Sequence, residues 1–319
     1  MAGTCRLAAA VAITLVLAAC GRSGGGASSA PPPPITPSVP VPSTLQGPGA
    51  VAQYAVNSAS ASVSNGAITA SRIDPAGTGS TITITTDATG NVRRLQFNIV
   101  TPAASFNNFY DPTGTAPSTI GIVPFAPLSS GQPLTLGQLA TFLNAVNTTA
   151  LSSGAVTSLA TGLSSSVYGI WASNDTGSSG RVGVFATGNP TPTASMPTNV
   201  TATYNGSTIG VAGSPSASYA VTGTVQLTAT FATGNVTTTI SNLQFQNTAT
   251  NAITNQPNLT GLATISPTMG NQYGGPLSSA ALTGTSTGTF YGPAAKETAG
   301  VWNVSGGGLT AIGSYGAKQ

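Results

Sequence analysis

The residue most clearly set up for chemistry is Cys20. Leu17-Ala18-Ala19-Cys20 matches the bacterial lipobox, behind a positive n-region at Arg6 and an apolar h-region over 7–17. At such a site the Cys sulfur takes a diacylglyceryl group, the chain is cut before it, and the new amine is acylated. The alternatives are an ordinary signal peptide or a membrane span. The apolar run is shorter than the roughly 20 residues a span needs, and small residues stand where cleavage wants them. Several acyl chains, at about 0.8 kcal/mol per buried methylene, hold a protein firmly on a bilayer.

The remaining reactive types are scarce. The sequence has no His, and Cys5, the second of its two cysteines, lies in the leader. Ser-His-Asp and Cys-His catalysis, and imidazole or thiolate metal sites, are therefore excluded, and no cofactor is implied. The acids Asp74, Asp87, Asp111, Asp175 and Glu297 are widely spaced. Turn-capping accounts for Asp87, Asp111 and Asp175. A glycan-active enzyme needs two carboxylates converging on one cleft, and Glu297 has no partner nearby in sequence. The Gly306-Gly307-Gly308 run lacks the Lys-Ser/Thr of a phosphate loop and reads as a β-turn.

One local constellation stands out. Tyr291-Gly292-Pro293 and Lys296-Glu297 form a compact polar turn among aromatic strands. It reads either as a turn carrying a solvated ion pair or as a recognition motif at a barrel rim. Tyr168, Trp171, Trp302 and Tyr315 could line a ligand pocket, but core packing explains most of them. Arg93-Arg94 is the densest charge after the leader. Adjacent strand residues point to opposite faces, so at most one is buried or faces a ligand.

Composition sets the class. Only 4% of the 319 residues are charged and 40% are hydrophobic, the polar share being filled by Thr, Ser, Asn and Gly. Thr alternating with Val, Ile and Ala suits half-buried strands. Without Arg6, seven bases stand against five acids, a net +2 that cannot supply the basic density nucleic acid demands.

The elements that must position these residues read as mainly β. Residues 1–19 are the expected signal peptide, and 20–49 a Pro/Gly/Ser-rich tether, spanning on the order of 30 Å as coil. A small β-rich domain is expected over 50–133. In it Ile82 and Ile84 alternate with Thr, Leu95, Phe97 and Ile99 alternate with polar residues, and a tight hairpin turns at 87–91. The stripe Leu136, Leu139, Ala140, Leu143, Val146 predicts a helix to about 150, with a second short helix near 155–163, so 134–165 is a helical connector. From 166 to 319 the strand signal is unbroken. Expected strands are 167–172, 181–187, 199–210, 218–231, 235–246, 259–266, 281–291, 301–306 and 309–317, with 173–180, 248–257 and 266–276 as loops. Meandering strands of this number suit a closed eight-stranded antiparallel barrel, with 284–319 as its seam. Because one strand face is Thr, Ser, Asn and Gly, the barrel is expected to stand in water rather than in lipid.

The closing pattern carries a resemblance. Gly288-x-Phe290-Tyr291-Gly292-Pro293-x-Ala295-x-Glu297-x-x-Gly300-x-Trp302, then Gly313-Ser314-Tyr315-Gly316-Ala317-Lys318, resembles the barrel signature of transferrin-binding protein B-like lipoproteins. Tyr168-Gly169-x-Trp171, Gly183-x-Phe185-x-x-Gly188, Thr191-Pro192, Met196-Pro197 and Thr201-Ala202-x-Tyr204-x-Gly206 match the start of the same domain. The likeness covers roughly 166–319. The first half matches only in arrangement, as a handle before the barrel. Ala299 stands where a second Gly is common, Trp302 where Phe is frequent, and the chain has room for one handle-barrel lobe rather than two. The resemblance implies a non-enzymatic surface lipoprotein that captures a host or environmental ligand protein, an iron source or haem, and passes it to an outer-membrane transporter. Ligand contacts in that family lie on variable loops, so no contact residue carries over. Gly21-Arg22 after Cys20 lacks the Asp that keeps enterobacterial-type lipoproteins in the inner membrane, so a lipid anchor in the outer membrane is expected. The alternative is a structural or adhesive envelope lipoprotein without a small ligand, which the small polar residues of the expected loops favour.

Overall fold

The structure is a computed structural model in which residues 47, 49–64, 67–88, 92–100, 104–109, 155–160, 163–176 and 179–319 are described. The signal peptide, Cys20, the tether up to residue 46, the turn at 89–91, Asp111 and the helix expected from 134 to about 150 lie outside these residues, as do the side chains of Arg93 and Asp175.

Two sheets make the handle. Alternation of Ile and Thr produces strand β4 (Thr81–Thr86), with Ile82 and Ile84 fully buried and Thr81, Thr83 and Thr85 on the opposite face. It pairs with β1 (Val51–Ala55) and β5 (Val92–Ile99), and β6 (Ala104–Phe109) completes the order β1-β4-β5-β6. The second sheet has the order β3-β2-β9-β8-β7, from β2 (Asn57–Ser64), β3 (Ala67–Asp74), β7 (Ala155–Ala160), β8 (Ser166–Thr176) and β9 (Ser179–Gly188).

This second sheet corrects three expectations. Residues 155–160 are strand β7, in register with β8 from Ala155↔Ser173 to Ala160↔Tyr168, where a second short helix was expected. Ala-Val-Thr-Ser-Leu-Ala alternates as readily as it spirals, and the free edge of β8 selects the strand. Residues 166–188, expected in the barrel, belong to the handle, because β9 pairs with β2 (Ala59↔Val184) and not with a barrel strand. Most of 173–180, expected as loop, lies in the two strands of the β8–β9 hairpin.

Strands β8 and β9 are apolar on both faces, which is what a sheet covered on both sides needs. Val167, Trp171 and Phe185 pack with Ile82, Leu95 and Phe97 of the first sheet, Phe97 and Phe185 meeting edge-on at 5.1 Å. Tyr168, Ile170, Val182, Val184 and Ala186 turn the other way, onto Ile209, Val211, Val301 and Ile312 of the barrel.

The barrel is built from β10 (Thr201–Ser214), β11 (Ala217–Thr230), β12 (Asn235–Asn247), β14 (Leu259–Ile265), β15 (Gln272–Ser278), β16 (Thr283–Tyr291), β17 (Glu297–Gly306) and β18 (Leu309–Lys318). Of nine strands in the sheet, these eight close a ring, and β13 (Ile253–Asn255) lies outside it. The final strand returns to the first, with Gly210 opposite Gly313, so 284–319 is the seam. The turn Gly307–Gly308 has both φ positive, at 59° and 79°, as a two-residue type I′ hairpin requires. Strand β15 was expected as loop, because Gly274-Gly275-Pro276 reads as a turn. Pro276 has no N–H to give, and the ladder to β14 is interrupted there, running Thr260↔Ser278 and then Thr264↔Gly274. The inward residues Tyr204, Val225, Leu227, Phe245, Phe290, Trp302 and Tyr315 fill the barrel. The outer face, expected to meet water throughout, is divided. It is Thr- and Asn-rich over β11, β12 and β14, but apolar where β10, β17 and β18 meet the handle.

Candidate functional site

The turn singled out in the sequence lies at the end of the barrel where β16 passes into β17. After β16 the chain reverses through Gly292 (φ 73°), Pro293, Ala294 (φ 51°) and Ala295 (φ 56°). Two alanines in the left-handed region are costly, so the surroundings must impose them. The Tyr204 hydroxyl donates to the Ala295 carbonyl at 2.6 Å, and Gln319 Nε2 donates to the same oxygen at 3.1 Å. The Gln319 N–H donates to the Lys296 carbonyl at 3.1 Å.

Lys296 and Glu297 do not act as an ion pair. Lys296 is exposed, whereas Glu297 is 5% exposed and faces the handle. Its carboxylate accepts the N–H of Ser164 at 2.6 Å, the N–H of Ser165 at 2.8 Å and the Ser166 hydroxyl at 3.0 Å. Three donors on one carboxylate latch the entry of β8 to the start of β17. The segment 189–200 seals the same end. Thr191 donates its N–H to the Phe290 carbonyl and its hydroxyl to Gly292, Asn271 Nδ2 donates to the Thr191 carbonyl, and Thr193 donates to Met269. A cleft of about 660 Å³ remains, lined by Ser164, Asn189, Pro190, Pro192, Pro293 and Lys296 among others. It offers one ammonium and one carboxylate already saturated with donors, so it has no acid–base pair to run a hydrolysis.

The aromatics singled out in the sequence do not converge on a ligand. Trp171 is in the handle core, while Trp302 and Tyr315 fill the barrel. Trp302 Nε1 donates to Thr208 Oγ1 at 2.8 Å, and the Tyr273 hydroxyl lies 2.9 Å from that of Tyr315 and 2.6 Å from Thr298 Oγ1. Burial raises both of these phenols well above the usual tyrosine value. Tyr168 is wedged between handle and barrel, its hydroxyl 2.6 Å from Ser207 Oγ and its phenol pushed up to about 12 by burial. Asp74, 4% exposed, lies 3.3 Å from Arg72 Nε. Burial raises its carboxyl pKa, and the guanidinium opposes part of that. Among the described residues no three His, Cys, Asp or Glu side chains gather.

The opposite end is different in kind. Of the three segments expected as loops, 248–257 is the one that projects there as a shaped loop. The Asn247 carboxamide oxygen accepts the N–H of Ala249 at 2.9 Å and of Thr250 at 3.0 Å, and the chain then returns as β13 against the upper half of β12. Sequence reasoning missed Glu297 as the latch. Its signal was a lone acid following a stretch, Val182 to Ala295, that has no charged residue at all.

A closed eight-stranded antiparallel barrel docked on a two-sheet handle is the class of protein that this fold defines. Residues 196–319 match the family model described as the C-lobe and N-lobe beta barrels of Tf-binding protein B, so the C-terminal barrel is similar to the barrels of that family. Among solved structures, the isotype 1 transferrin-binding protein B of serogroup B Neisseria meningitidis is similar, at 17% identity over 50% of this chain and 32% of that one, with a TM-score of 0.37. A point mutant of the same protein from Haemophilus parasuis aligns over 89% of this chain and 78% of its own, at 14% identity and a TM-score of 0.38. The N-lobe domain of lactoferrin-binding protein B from Moraxella bovis aligns over 57% and 84%, at 14% identity and a TM-score of 0.35. The chain spans about a third of the length of the meningococcal protein. A search of curated proteins found no match.

Proposed function

We propose that this protein is a non-enzymatic lipoprotein, anchored through Cys20 in the outer membrane and displayed at the surface, which binds a solute or a host or environmental protein. The observation that carries this reading is the match of 196–319 to the barrel of transferrin-binding protein B. Its geometry supports it: one barrel end is latched by Glu297 and sealed by 189–200, and the other presents a pre-shaped loop on a rigid scaffold. The finer reading follows relatives named for transferrin and lactoferrin binding: the ligand is an iron-source protein or haem-type compound, passed to an outer-membrane transporter.

Incubating purified mature protein and intact cells with serum and spent medium, then identifying what is retained, tests the reading. Enrichment of an iron- or haem-carrying protein supports it. Recovery identical to a Cys20→Ala strain, with no enriched species, overturns it. A barrel that survives protease on intact cells and is cut only after lysis overturns surface display. A structural or adhesive envelope role is the second reading, favoured by the small uncharged residues of the 248–257 loop. It predicts loss of adhesion or envelope integrity on deletion, with no captured ligand.

A further inference from the structure

We infer that the outer strip of the barrel along β12 and β13 binds an uncharged polysaccharide chain; this deepens the surface-binding reading above and rests on it. The first observation is electrical. No residue from Val182 to Ala295 is charged, and the barrel's own ionisable ends, Lys296, Glu297 and Lys318, lie together at the latched end, Glu297 being opposite Lys318 in register. The strip therefore offers nothing to neutralise a sulfate or phosphate, and burying such a group there unpaired is costly. An uncharged partner meets no such cost.

The second observation is the chemistry that stands in place of charge. Strand β12 outruns its neighbour: Asn235 to Ile240 pair with β14, and Gln244 to Gln246 pair with β13. Along this strip carboxamides are held by other polar side chains. Asn242 Nδ2 donates to Thr224 Oγ1 at 3.2 Å, Gln244 Nε2 to Asn255 Oδ1 at 3.2 Å, and Gln256 Nε2 to Thr254 Oγ1 at 3.3 Å. A carboxamide has two N–H donors and two acceptor lone pairs, so one such contact leaves most of its capacity free. The result is a set of oriented amides with a spare donor and acceptor, on strands about 4.8 Å apart. Neighbouring hydroxyls of a sugar ring present the matching donors and acceptors. An apolar partner would leave the amides unsatisfied, which is unfavourable.

Third, Ile253 and Leu262 are 54% and 56% exposed on β13 and β14, the two strands that share β12. They supply apolar contact for the C–H faces of sugar rings. The strip has no exposed aromatic or Arg anchor of the kind that carries protein–protein affinity, which favours a glycan over a folded protein.

Affinity electrophoresis and calorimetry of the full mature chain, with dextran and galactomannan as neutral probes and dextran sulfate as the charged one, test the inference. A neutral probe is expected to retard the protein equally at about 50 mM and about 500 mM salt, since screening acts on charges. Gln244→Ala with Asn255→Ala should weaken binding about tenfold at unchanged Tm, while Lys318→Gln at the far end leaves it unaltered. No binding of either neutral probe, binding of dextran sulfate alone, loss of binding with salt, or undiminished binding by the double variant overturns it. So does a concentration-dependent dimer that the double variant abolishes, since the strip then belongs to a second copy. Such failures, with a protein still captured from serum, remove the glycan and leave the receptor reading standing.

Discussion

Glu297 and Lys296 are neighbours with unrelated tasks. The carboxylate is buried and takes two backbone N–H groups and a hydroxyl from 164–166, while the ammonium stands at the mouth of the cleft. Removing the carboxylate leaves buried amide donors without an acceptor. Glu297→Ala is therefore expected to cost about 2–4 kcal/mol in urea unfolding, and Lys296→Ala close to nothing. Equal effects would return the pair to the role of a solvated turn. The tyrosines give a second residue-scale test. Burial pushes Tyr168 and Tyr204 up to about 12 and raises Tyr273 and Tyr315 as well. Folded values above the unfolded value of about 10 mean stability that is complete below about pH 10 and lost as pH rises through the folded values. Phenolate absorbance from these buried tyrosines should appear only together with loss of the β circular dichroism signal. A single step near pH 10 with the fold intact would contradict the buried hydroxyl cluster.

At the scale of the element, the seam strands are shaped by what passes over their glycines. Trp302 and Gly313 are cross-strand partners, and a Cβ at position 313 would come within 2.3 Å of the indole ring. The same device joins Trp171 to Gly183 in the handle, so each large ring lies flat across a strand with no side chain of its own there. Gly313→Ala is expected to destabilise by about 1–3 kcal/mol through overpacking. Adding Trp302→Phe should recover part of that, because the clashing atoms Cε2, Cζ2 and Nε1 form the edge of an indole wider than a phenyl ring, and a double-mutant cycle measures the coupling. Strand β15 shows the limit of local reading. Gly274-Gly275-Pro276 has the composition of a turn, yet it bridges β14 and β16 because Tyr273 and Leu277 on either side are both buried in the barrel. Neighbours in space outweigh local propensity there, as they do for β7.

For the whole molecule, the decisive contact is the one between handle and barrel. Ile209, Val211, Val301 and Ile312 point away from the barrel interior and are fully buried only because the second handle sheet covers them. A fragment beginning at 196 would expose that patch, and it is expected to self-associate in analytical ultracentrifugation where the longer chain stays dispersed. A monodisperse fragment would show that the handle is dispensable to the barrel. Much of this architecture was readable in advance. Strict alternation in β4, β5 and β11, Gly pairs at turns, and the aromatic seam reveal strands and a closed barrel, because those signals arise within a few residues of chain. The want of His and the scatter of acids removed whole classes of catalysis in the same way. Three matters depended on the tertiary structure. These are the assignment of 166–188 to the handle, the partners of Glu297, and which end of the barrel the segment 189–200 covers. Each concerns groups far apart in sequence, as Glu297 and Ser165 are at a separation of 132 residues. An apolar strand face states that it must be covered, and only the folded chain decides by what.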